Sequence, residues 1–181
     1  MGRSAAGVSR TTPLSELARR LAAKQARVGV IGLGYVGLPL AVEFGEAGFS
    51  VRGFDVDASR VTQVNQSRSY IPDVSSKQLA GLVRGKRLVA TRSYEELSVC
   101  DAIIICVPTP LRKTREPDIS FILGAAQAIA KALRPGHLIV LESTTYPGTT
   151  EEVILPMLHA RGLRVGKDFS LAFSPERIDP G

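Results

Sequence analysis

Cysteine is scarce in this chain of 181 residues, which contains two, Cys100 and Cys106. They lie six residues apart in an apolar stretch and lack the C-x-x-C spacing of redox and zinc sites. We therefore expect two reduced packing residues, as in a cytosolic protein. Histidine is equally scarce, and His137 and His159 have no partners at metal-ligand spacing, so the sequence predicts no metal site.

Long apolar runs are also missing. No stretch approaches the roughly 20 apolar residues that span a bilayer, and no apolar segment near Met1 resembles a signal peptide. We expect a soluble, cytoplasmic protein without a membrane partner. The composition, 44% hydrophobic and 22% charged, is that of an ordinary globular protein, and the length allows one or two domains.

The surplus of basic residues is confined to the N-terminal segment. A net charge of +6 would ordinarily suggest nucleic acid as a partner. Residues 1–27 hold six basic residues and one acidic residue, whereas residues 28–181 hold 17 basic and 16 acidic ones. The rest of the chain is therefore nearly neutral, and no nucleic-acid partner is expected.

Residues 1–26 read as a basic extension. Thr12 could cap and Pro13 could begin a short helix whose three leucines fall on one face. We expect that face to pack on the domain edge or on a partner subunit. The Arg-rich, Ser-containing start also fits an organelle transit peptide, an alternative that the sequence leaves open.

The strongest feature is a strand, a glycine turn and a helix near the start of the chain. Apolar residues over 28–31 predict a short buried strand, and three glycines follow as G-x-G-x-x-G before a helix over 38–47. The first glycine permits the tight turn, the second lets the backbone approach a pyrophosphate, and the third lets the helix lie close to the strand. The candidate dinucleotide-binding residues are those of the turn: Gly32, Leu33, Gly34, Tyr35, Val36 and Gly37.

Asp55 follows the second predicted strand, over 50–54, and lies 18 residues after Gly37. At that place a carboxylate can accept hydrogen bonds from both hydroxyls of the adenosine ribose, and it would repel a 2′-phosphate. The pattern therefore favours NAD over NADP. With 17 glycines in the chain, a turn that binds nothing is the alternative, and the flanking strand, helix and acid disfavour it.

Strands and helices alternate through the rest of the chain. Such alternation predicts an α/β fold, a doubly wound parallel sheet with right-handed crossovers, of the Rossmann-like NAD-binding type. Further strands are expected over 87–91, 102–107, 137–142 and 169–173, and further helices over 58–66, 75–84, 118–133 and 149–159. Ser93 with Glu96 and Thr149 with Glu152 predict capping boxes.

Ligands of such sheets bind beyond the carboxyl ends of the strands. Thr109 lies there between two prolines, and Ser143 and Thr144 place hydroxyls where a nicotinamide or a water would sit. Arg60, five residues after Asp55, could stack on adenine or reach the ribose. For each of these residues the sequence leaves open a plain turn or a solvated helix face.

Six motifs together resemble the NAD-binding domain of the UDP-glucose/GDP-mannose dehydrogenase family, from about Arg27 to Gly181. The motifs are, in chain order, VGVIGLGYVGLPLA, FDVDASRV, ICVPTPL, TREPD, LESTTYPGTTEEVILP and FSPERIDPG. The resemblance implies that a UDP-sugar, in the most similar members a UDP-N-acetylhexosamine, is oxidised at its C6 hydroxymethyl with two NAD. It implies an aldehyde held on a cysteine, a hydrolysed thioester, and a full-length homodimer or larger homo-oligomer.

Residue roles also follow from the resemblance. It places the glycine turn, Asp55, Arg60, Thr109 and Thr144 against NAD. It further implies that Glu176, in SPER, assists proton transfer or water activation, since thioester hydrolysis needs an oriented water and a base. The candidate catalytic residues are thus Glu176 and Thr144. Residues 27–181 would be the NAD-binding domain.

Two departures from the family pattern affect the predicted activity. Pro180 stands where some relatives carry a second glutamate four residues after the first. The chain also ends at Gly181, before the central and sugar-binding domains and the cysteine that the resemblance implies, and neither Cys100 nor Cys106 has the matching flanks. We expect an NAD-binding half that is inactive alone. A stand-alone NAD-binding module is the alternative, and the reading frame after Gly181 would discriminate the two.

Overall fold

The computed structural model describes residues 12–110 and 117–175. Six strands form one parallel sheet in the order β3-β2-β1-β4-β5-β6. The strands are β1 (Arg27–Ile31), β2 (Ser50–Phe54), β3 (Leu88–Thr91), β4 (Ala102–Ile105), β5 (Leu138–Leu141) and β6 (Ser170–Phe173). The helices are α1 (Pro13–Ala22), α2 (Gly37–Glu46), α3 (Ala58–Asn65), α4 (Ser76–Arg84), α5 (Ser120–Ala132) and α6 (Leu155–His159), with a 3₁₀-helix at Tyr94–Val99 and a π-helix at Thr149–Ile154.

The central strands show why helices cover both faces of the sheet. In β4, Ile104 packs into the core that contains residues of α2 and α4, whereas Ile103 and Ile105 pack into the core that contains residues of α5 and α6. Successive strand residues face opposite sides, so a continuous apolar run fills both cores. The predicted doubly wound parallel sheet is confirmed. The predicted bounds lie within two residues of the observed ones, apart from the segment 149–159, which divides into two helices.

Both predicted capping boxes are wrong. Ser93 makes no side-chain bond to the 3₁₀-helix that it precedes, and Glu96 instead forms an ion pair with Arg52 of β2 at 3.1 Å. No side chain caps the π-helix, and the hydroxyl of Thr149 accepts a hydrogen bond from the hydroxyl of Thr145 at 2.8 Å. In each case the polar side chain has found a partner outside the helix backbone, which the local pattern does not reveal.

Helix α1 begins as the sequence predicts. The side chain of Thr12 accepts a hydrogen bond from the backbone N–H of Ser15 at 3.1 Å, and Pro13 is the first helical residue. Leu17 is buried, and Arg20 in the last turn forms an ion pair with Asp101, beside the start of β4. The helix therefore packs on the edge of the sheet domain through one leucine-bearing face.

Asp101 is a buried charge that joins three segments at the amino end of the sheet. Its carboxylate accepts hydrogen bonds from the guanidinium groups of Arg20 and Arg134, at 2.5 and 3.0 Å, and from the backbone N–H of Arg27 at 2.7 Å. These partners belong to α1, to the connection before β5 and to β1. Because a buried carboxylate is stable only when it is paired and hydrogen-bonded, this cluster holds α1 to the sheet.

Both cysteines and His137 are buried, as expected of packing residues, and His159 is exposed. Cys100 and Cys106 are buried and form no disulfide bond, and burial raises the pKa of the Cys100 thiol to about 12. His137 is fully buried, and burial together with the charge of Arg134 lowers its pKa to about 4. Within the described ranges no group of three metal-ligating side chains occurs. Nor does any helix in these ranges have the length and apolarity needed to cross a bilayer.

Candidate functional site

A cleft of about 770 Å³ opens at the carboxyl ends of the central strands. It lies where the strand order reverses, because β2 pairs with one edge of β1 and β4 with the other. Open parallel sheets bind their ligands at this point. The cleft is lined by the glycine turn, the loop after β2, the segments that follow β4 and β5, and one face of α5.

The glycine turn forms one wall of this cleft, and its three glycines have different roles. Gly32 has a φ of 92°, and a Cβ there would overlap the carbonyl oxygen of Cys106. A Cβ on Gly37 would overlap the carbonyl oxygen of Gly32, so the third glycine lets α2 begin against the turn. At Gly34 the nearest atom that a Cβ would meet is an Arg60 nitrogen at 3.9 Å, so this backbone is open to the approach of a ligand.

The beginning of α2 is suited to an anion. Val36 occupies the N-cap position without a side-chain cap, and the first turn contains no acidic residue. The first N–H groups of a helix have no partner within the helix, and the aligned peptide dipoles add a partial positive charge there. An open glycine backbone beside an uncapped helix start fits the pyrophosphate of a dinucleotide.

Asp55 is buried at the inner side of the cleft, and its carboxylate is bonded to the backbone. One oxygen accepts the N–H of Leu33 at 2.8 Å, and the other accepts the N–H of Asp57 at 2.9 Å. The oxygen that holds Leu33 also accepts from the guanidinium of Arg60 at 3.4 Å. The other oxygen keeps a second lone pair, so the group can hold the turn and still accept a hydrogen bond from a ribose hydroxyl. A second negative charge close to this carboxylate would be repelled.

Arg60 lies at the mouth of the cleft. Its guanidinium is 3.4 Å from the carboxylate of Asp55 and 3.8 Å from that of Asp57, and 42% of its side chain is exposed. Asp57 also caps α3, since its carboxylate accepts the backbone N–H groups of Ser59 and Arg60. The two carboxylates thus hold the guanidinium beside Gly34, where a planar cation can contact a base or a phosphate.

The hydroxyl-bearing candidates lie at the other end of the cleft. Ser143 is buried, and its hydroxyl donates to the carbonyl oxygen of Val107 at 2.9 Å, which joins the ends of β4 and β5. Thr144 is exposed on the cleft wall, and Thr109 is half-buried. The structure thus gathers Thr109, Ser143 and Thr144 with the turn, Asp55 and Arg60 around one cleft, and their contacts with a cofactor stay a prediction.

Two of the predicted turn residues do not line the cleft. Leu33 is fully buried and Gly37 is the buried first residue of α2, so both shape the turn. Tyr35 and Val36 do line it. Glu176 lies outside the described residues, as do residues 1–11 and 111–116.

Sequence reasoning missed the apolar wall and one polar contact. Val56 and Phe121 line the cleft with 68% and 46% of their surface exposed, and Tyr94 and Ala128 lie beside them. An apolar wall of this kind suits the flat ring of an adenine. The missed polar contact comes from Tyr70, whose hydroxyl donates to the carbonyl oxygen of Leu33 at 2.7 Å. Val56, an apolar residue directly after Asp55, could have indicated the apolar wall. The residues around Tyr70 contain no pattern that indicates its contact with the turn.

Comparison with known proteins also indicates a dinucleotide-binding domain. The sequence model of the UDP-glucose/GDP-mannose dehydrogenase family, NAD binding domain, matches residues 26–181. The chain is 40% identical over 159 residues to UDP-N-acetyl-D-glucosamine 6-dehydrogenase of Pseudomonas aeruginosa, which covers 87% of this chain and 37% of the relative. Its fold is similar to that of UDP-D-ManNAc dehydrogenase from Pyrococcus horikoshii, with a TM-score of 0.79, 37% identity, and 86% of this chain and 37% of that chain covered. For GDP-mannose dehydrogenase from Pseudomonas aeruginosa, solved as a ternary complex, the TM-score is 0.79 at 31% identity, with 84% and 36% covered. The chain thus spans little more than a third of the length of these proteins.

Proposed function

The chain belongs to the UDP-glucose/GDP-mannose dehydrogenase family, as its NAD-binding domain, and we propose that it is the cofactor half of a nucleotide-sugar 6-dehydrogenase. The observation that carries the proposal is the cleft, where an open glycine backbone, an uncapped helix start and a buried carboxylate converge. The cofactor of this family domain is NAD. When bound, NAD supplies a hydride acceptor at its nicotinamide.

Different parts of the cleft would bind different parts of this cofactor. The turn and the start of α2 would bind the pyrophosphate, Asp55 the adenosine ribose, and the apolar wall at Val56 and Phe121 the adenine. Thr109, Ser143 and Thr144 would then lie toward the nicotinamide. We assign Thr144 to the reactive end because its hydroxyl-bearing side chain is exposed on the cleft wall, whereas the hydroxyl of Ser143 already donates to Val107. Glu176 would orient a water or move a proton at the same end.

The proposed substrate is a UDP-sugar, and in particular a UDP-N-acetylhexosamine. The support for the sugar comes from the relatives, one of which is a UDP-N-acetyl-D-glucosamine 6-dehydrogenase. The sugar-binding part would lie in the remaining two thirds of such a protein. The finer choice between UDP-N-acetylglucosamine and UDP-N-acetylmannosamine is therefore a matter for a substrate assay.

Neither cysteine of the chain is suited to be the nucleophile that the family chemistry requires. A thiolate is the reactive form, and the raised pKa of Cys100 keeps that thiol protonated at neutral pH. Cys100 also lies just before β4, at the end of the sheet away from the cleft. Cys106 follows β4 and lines the cleft, but it is only 7% exposed and packs against the turn, with its Cβ 3.2 Å from where a Cβ on Gly37 would lie.

We therefore expect the 181-residue chain to bind NAD without oxidising a UDP-sugar. Calorimetric titration should show one NAD site, while the absorbance of NADH at 340 nm should not rise with UDP-N-acetylglucosamine present. The physical reason is a complete cofactor cleft without a placed nucleophile. Steady NADH production by the purified chain would contradict the prediction that the chain binds NAD but cannot oxidise the sugar.

A chimera tests the proposed activity directly. In it, residues 1–181 replace the matching part of the Pseudomonas aeruginosa relative, and NADH production from UDP-N-acetylglucosamine is measured against the unaltered relative. Activity in the chimera supports a dehydrogenase cofactor domain. A chimera that binds NAD, is folded and produces no NADH would favour a stand-alone binding module.

Asp55→Ala should weaken NAD binding about tenfold or more and narrow the gap between NAD and NADP. A charge-assisted hydrogen bond contributes about 1.5–3 kcal/mol, which corresponds to roughly tenfold or more in affinity. Calorimetric titration of both cofactors against both proteins measures the effect. Equal NAD affinities in wild type and Asp55→Ala would mean that the carboxylate makes no contact with the ribose and that NAD binding does not depend on its support of the turn.

Asp55→Asn is the matched control. The amide oxygen can still accept the N–H of Leu33, so the support of the turn at Leu33 is kept while the negative charge is lost. The contact to the N–H of Asp57 is lost as well, because the amide NH2 group is a donor. We expect Asp55→Asn to lose less NAD affinity than Asp55→Ala. The ratio of NADP affinity to NAD affinity should rise by a similar factor in both variants. If asparagine and alanine weaken NAD equally, the charge rather than the support of the turn determines the affinity.

A further inference from the structure

Tyr70 reaches the glycine turn from outside the strand–turn–helix unit. It lies in the loop between α3 and α4, and its hydroxyl donates to the carbonyl oxygen of Leu33 at 2.7 Å, across 37 residues of sequence. The ring is half-buried, and the burial and the nearby Asp55 raise the pKa of the Tyr70 hydroxyl well above its usual range. The phenol therefore keeps the proton that it donates to this bond.

The loop that carries Tyr70 is itself well held. The hydroxyl of Ser69 donates to the carbonyl oxygen of Ile71 at 3.0 Å and accepts the N–H of the same residue at 3.2 Å. Ile71 and Val74 are buried in the core that contains residues of α2 and α4. Tyr70 is thus presented to the turn by a segment anchored on both sides of it.

Leu33 is fixed at three points, and the Tyr70 contact is the third. Its N–H donates to Asp55 at 2.8 Å, and its side chain is fully buried against Gly53, where a Cβ would come within 2.8 Å of it. Its carbonyl oxygen accepts from Tyr70. The N–H of Leu33 belongs to the peptide plane before this residue, and its carbonyl belongs to the plane between Leu33 and Gly34. The first two contacts therefore anchor the residue, and the Tyr70 contact is the one that acts on the plane between Leu33 and Gly34.

The orientation of that plane decides where the N–H of Gly34 points. In a trans peptide the carbonyl and the N–H point in opposite directions, so a carbonyl held toward Tyr70 turns the N–H of Gly34 the other way. Gly34 lines the cleft. Glycine populates a wide range of φ, so without the third contact this plane could rotate at low energy.

We propose that Tyr70 is a positioning residue for NAD, which keeps the N–H of Gly34 aimed into the cleft by holding the carbonyl of Leu33. This inference rests on the proposed NAD site and adds a residue that the dinucleotide motif does not contain. It assigns to Tyr70 a role in binding the pyrophosphate, and no contact with the cofactor itself.

Tyr70→Phe tests the proposal, because it keeps the ring and removes only the hydroxyl. We expect NAD and ADP-ribose, which both carry the pyrophosphate, to bind about five- to tenfold more weakly, the effect of one hydrogen bond. Adenosine, which lacks the pyrophosphate, should bind within about twofold of wild type in an NMR titration. The ¹⁵N–¹H resonance of Gly34 should also shift in the ligand-free variant, a change that a merely less stable loop would not confine to the turn.

Ser69→Ala is the control for loop stability. It removes both Ser69 contacts to Ile71 and leaves the bond between Tyr70 and Leu33 in place, so its affinity for ADP-ribose should equal that of wild type. An equal loss in Ser69→Ala and Tyr70→Phe would overturn the proposal in favour of general loop packing. If wild type binds NAD and Tyr70→Phe binds ADP-ribose with unchanged affinity, the role of Tyr70 is overturned while the proposed NAD site stands. If wild type bound no NAD, the proposed function would fall with it.

Discussion

Gly37→Ala should reduce NAD binding by up to about a hundredfold and destabilise the fold, since overpacking strain of about 1–3 kcal/mol corresponds to roughly five- to a hundredfold. The added Cβ would overlap the carbonyl oxygen of Gly32 and lie 3.0 Å from its carbonyl carbon. These are backbone atoms of a turn whose first residue is already fixed by the N–H of Gly32 donating to Phe54 at 2.7 Å. The overlap can be relieved only by moving α2 away from the turn, which separates the two groups that bind the pyrophosphate and adds about 1–3 kcal/mol of overpacking strain.

Gly81→Ala is the matched control for this substitution. Gly81 lies within α4, and a Cβ there would meet no atom within 4 Å. Alanine in a helix interior is favoured over glycine by about 1 kcal/mol, so this variant should be slightly more stable than wild type and bind NAD equally well. Titration calorimetry and urea unfolding of the three proteins measure both effects. NAD affinity in Gly37→Ala within about threefold of wild type would show that the turn relaxes at little cost.

The features that the sequence predicts correctly are those that depend on a short run of neighbouring residues. The run Ala102–Ile105 is apolar at every position, which indicates a strand buried on both faces, and β4 lies in the middle of the sheet. The G-x-G-x-x-G spacing indicates a turn with no room for side chains at its glycines. The physical reason is that a Cβ at Gly32 or at Gly37 would overlap a backbone carbonyl oxygen. Both inferences depend on fewer than ten consecutive residues.

Local patterns fail where a distant residue competes for the same side chain. Ser75 and Gln78 form a complete capping box at the start of α4, with both reciprocal hydrogen bonds present. Ser93 and Glu96 have the same spacing and an equally suitable pair of residues, yet Arg52 of β2 binds Glu96. Only the register of the sheet brings Arg52 to that place, so the spacing of the pair could not distinguish the two outcomes.

The contacts that hold the site and the N-terminal helix are beyond sequence reasoning for the same reason. Tyr70 is 37 residues from Leu33, and Asp101 is 74 residues from Arg27 and 81 from Arg20. In each case the partners meet because the crossovers of the doubly wound sheet place their segments side by side. The sequence indicates which segments exist, and the topology decides which of their polar groups become partners.

Asp101 should be the most costly single carboxylate to remove at the amino end of the sheet. It is 2% exposed, and its loss would leave the backbone N–H of Arg27 without its acceptor and two guanidinium groups without their shared partner. The side chains of Arg20 and Arg134 are 35% and 39% exposed, so their guanidinium groups would regain water. The effect therefore falls at the lower end of the range for breaking a buried pair, about 3 kcal/mol. The exposed pair of Glu16 and Arg19 on the same helix is a natural comparison, because solvent screens it.

We therefore expect Asp101→Ala to lower the free energy of unfolding by about 3 kcal/mol, with the urea midpoint shifted to match, and Glu16→Ala to leave it almost unchanged. Because Asp101 anchors α1 through Arg20, limited proteolysis of Asp101→Ala under native conditions should cut between α1 and β1 faster than in wild type. NAD affinity of the folded variant should be retained, since the cluster lies at the end of the strands away from the cleft. A urea midpoint equal to that of wild type would mean that desolvation of the carboxylate cancels its three hydrogen bonds, and that α1 is held by Leu17 alone.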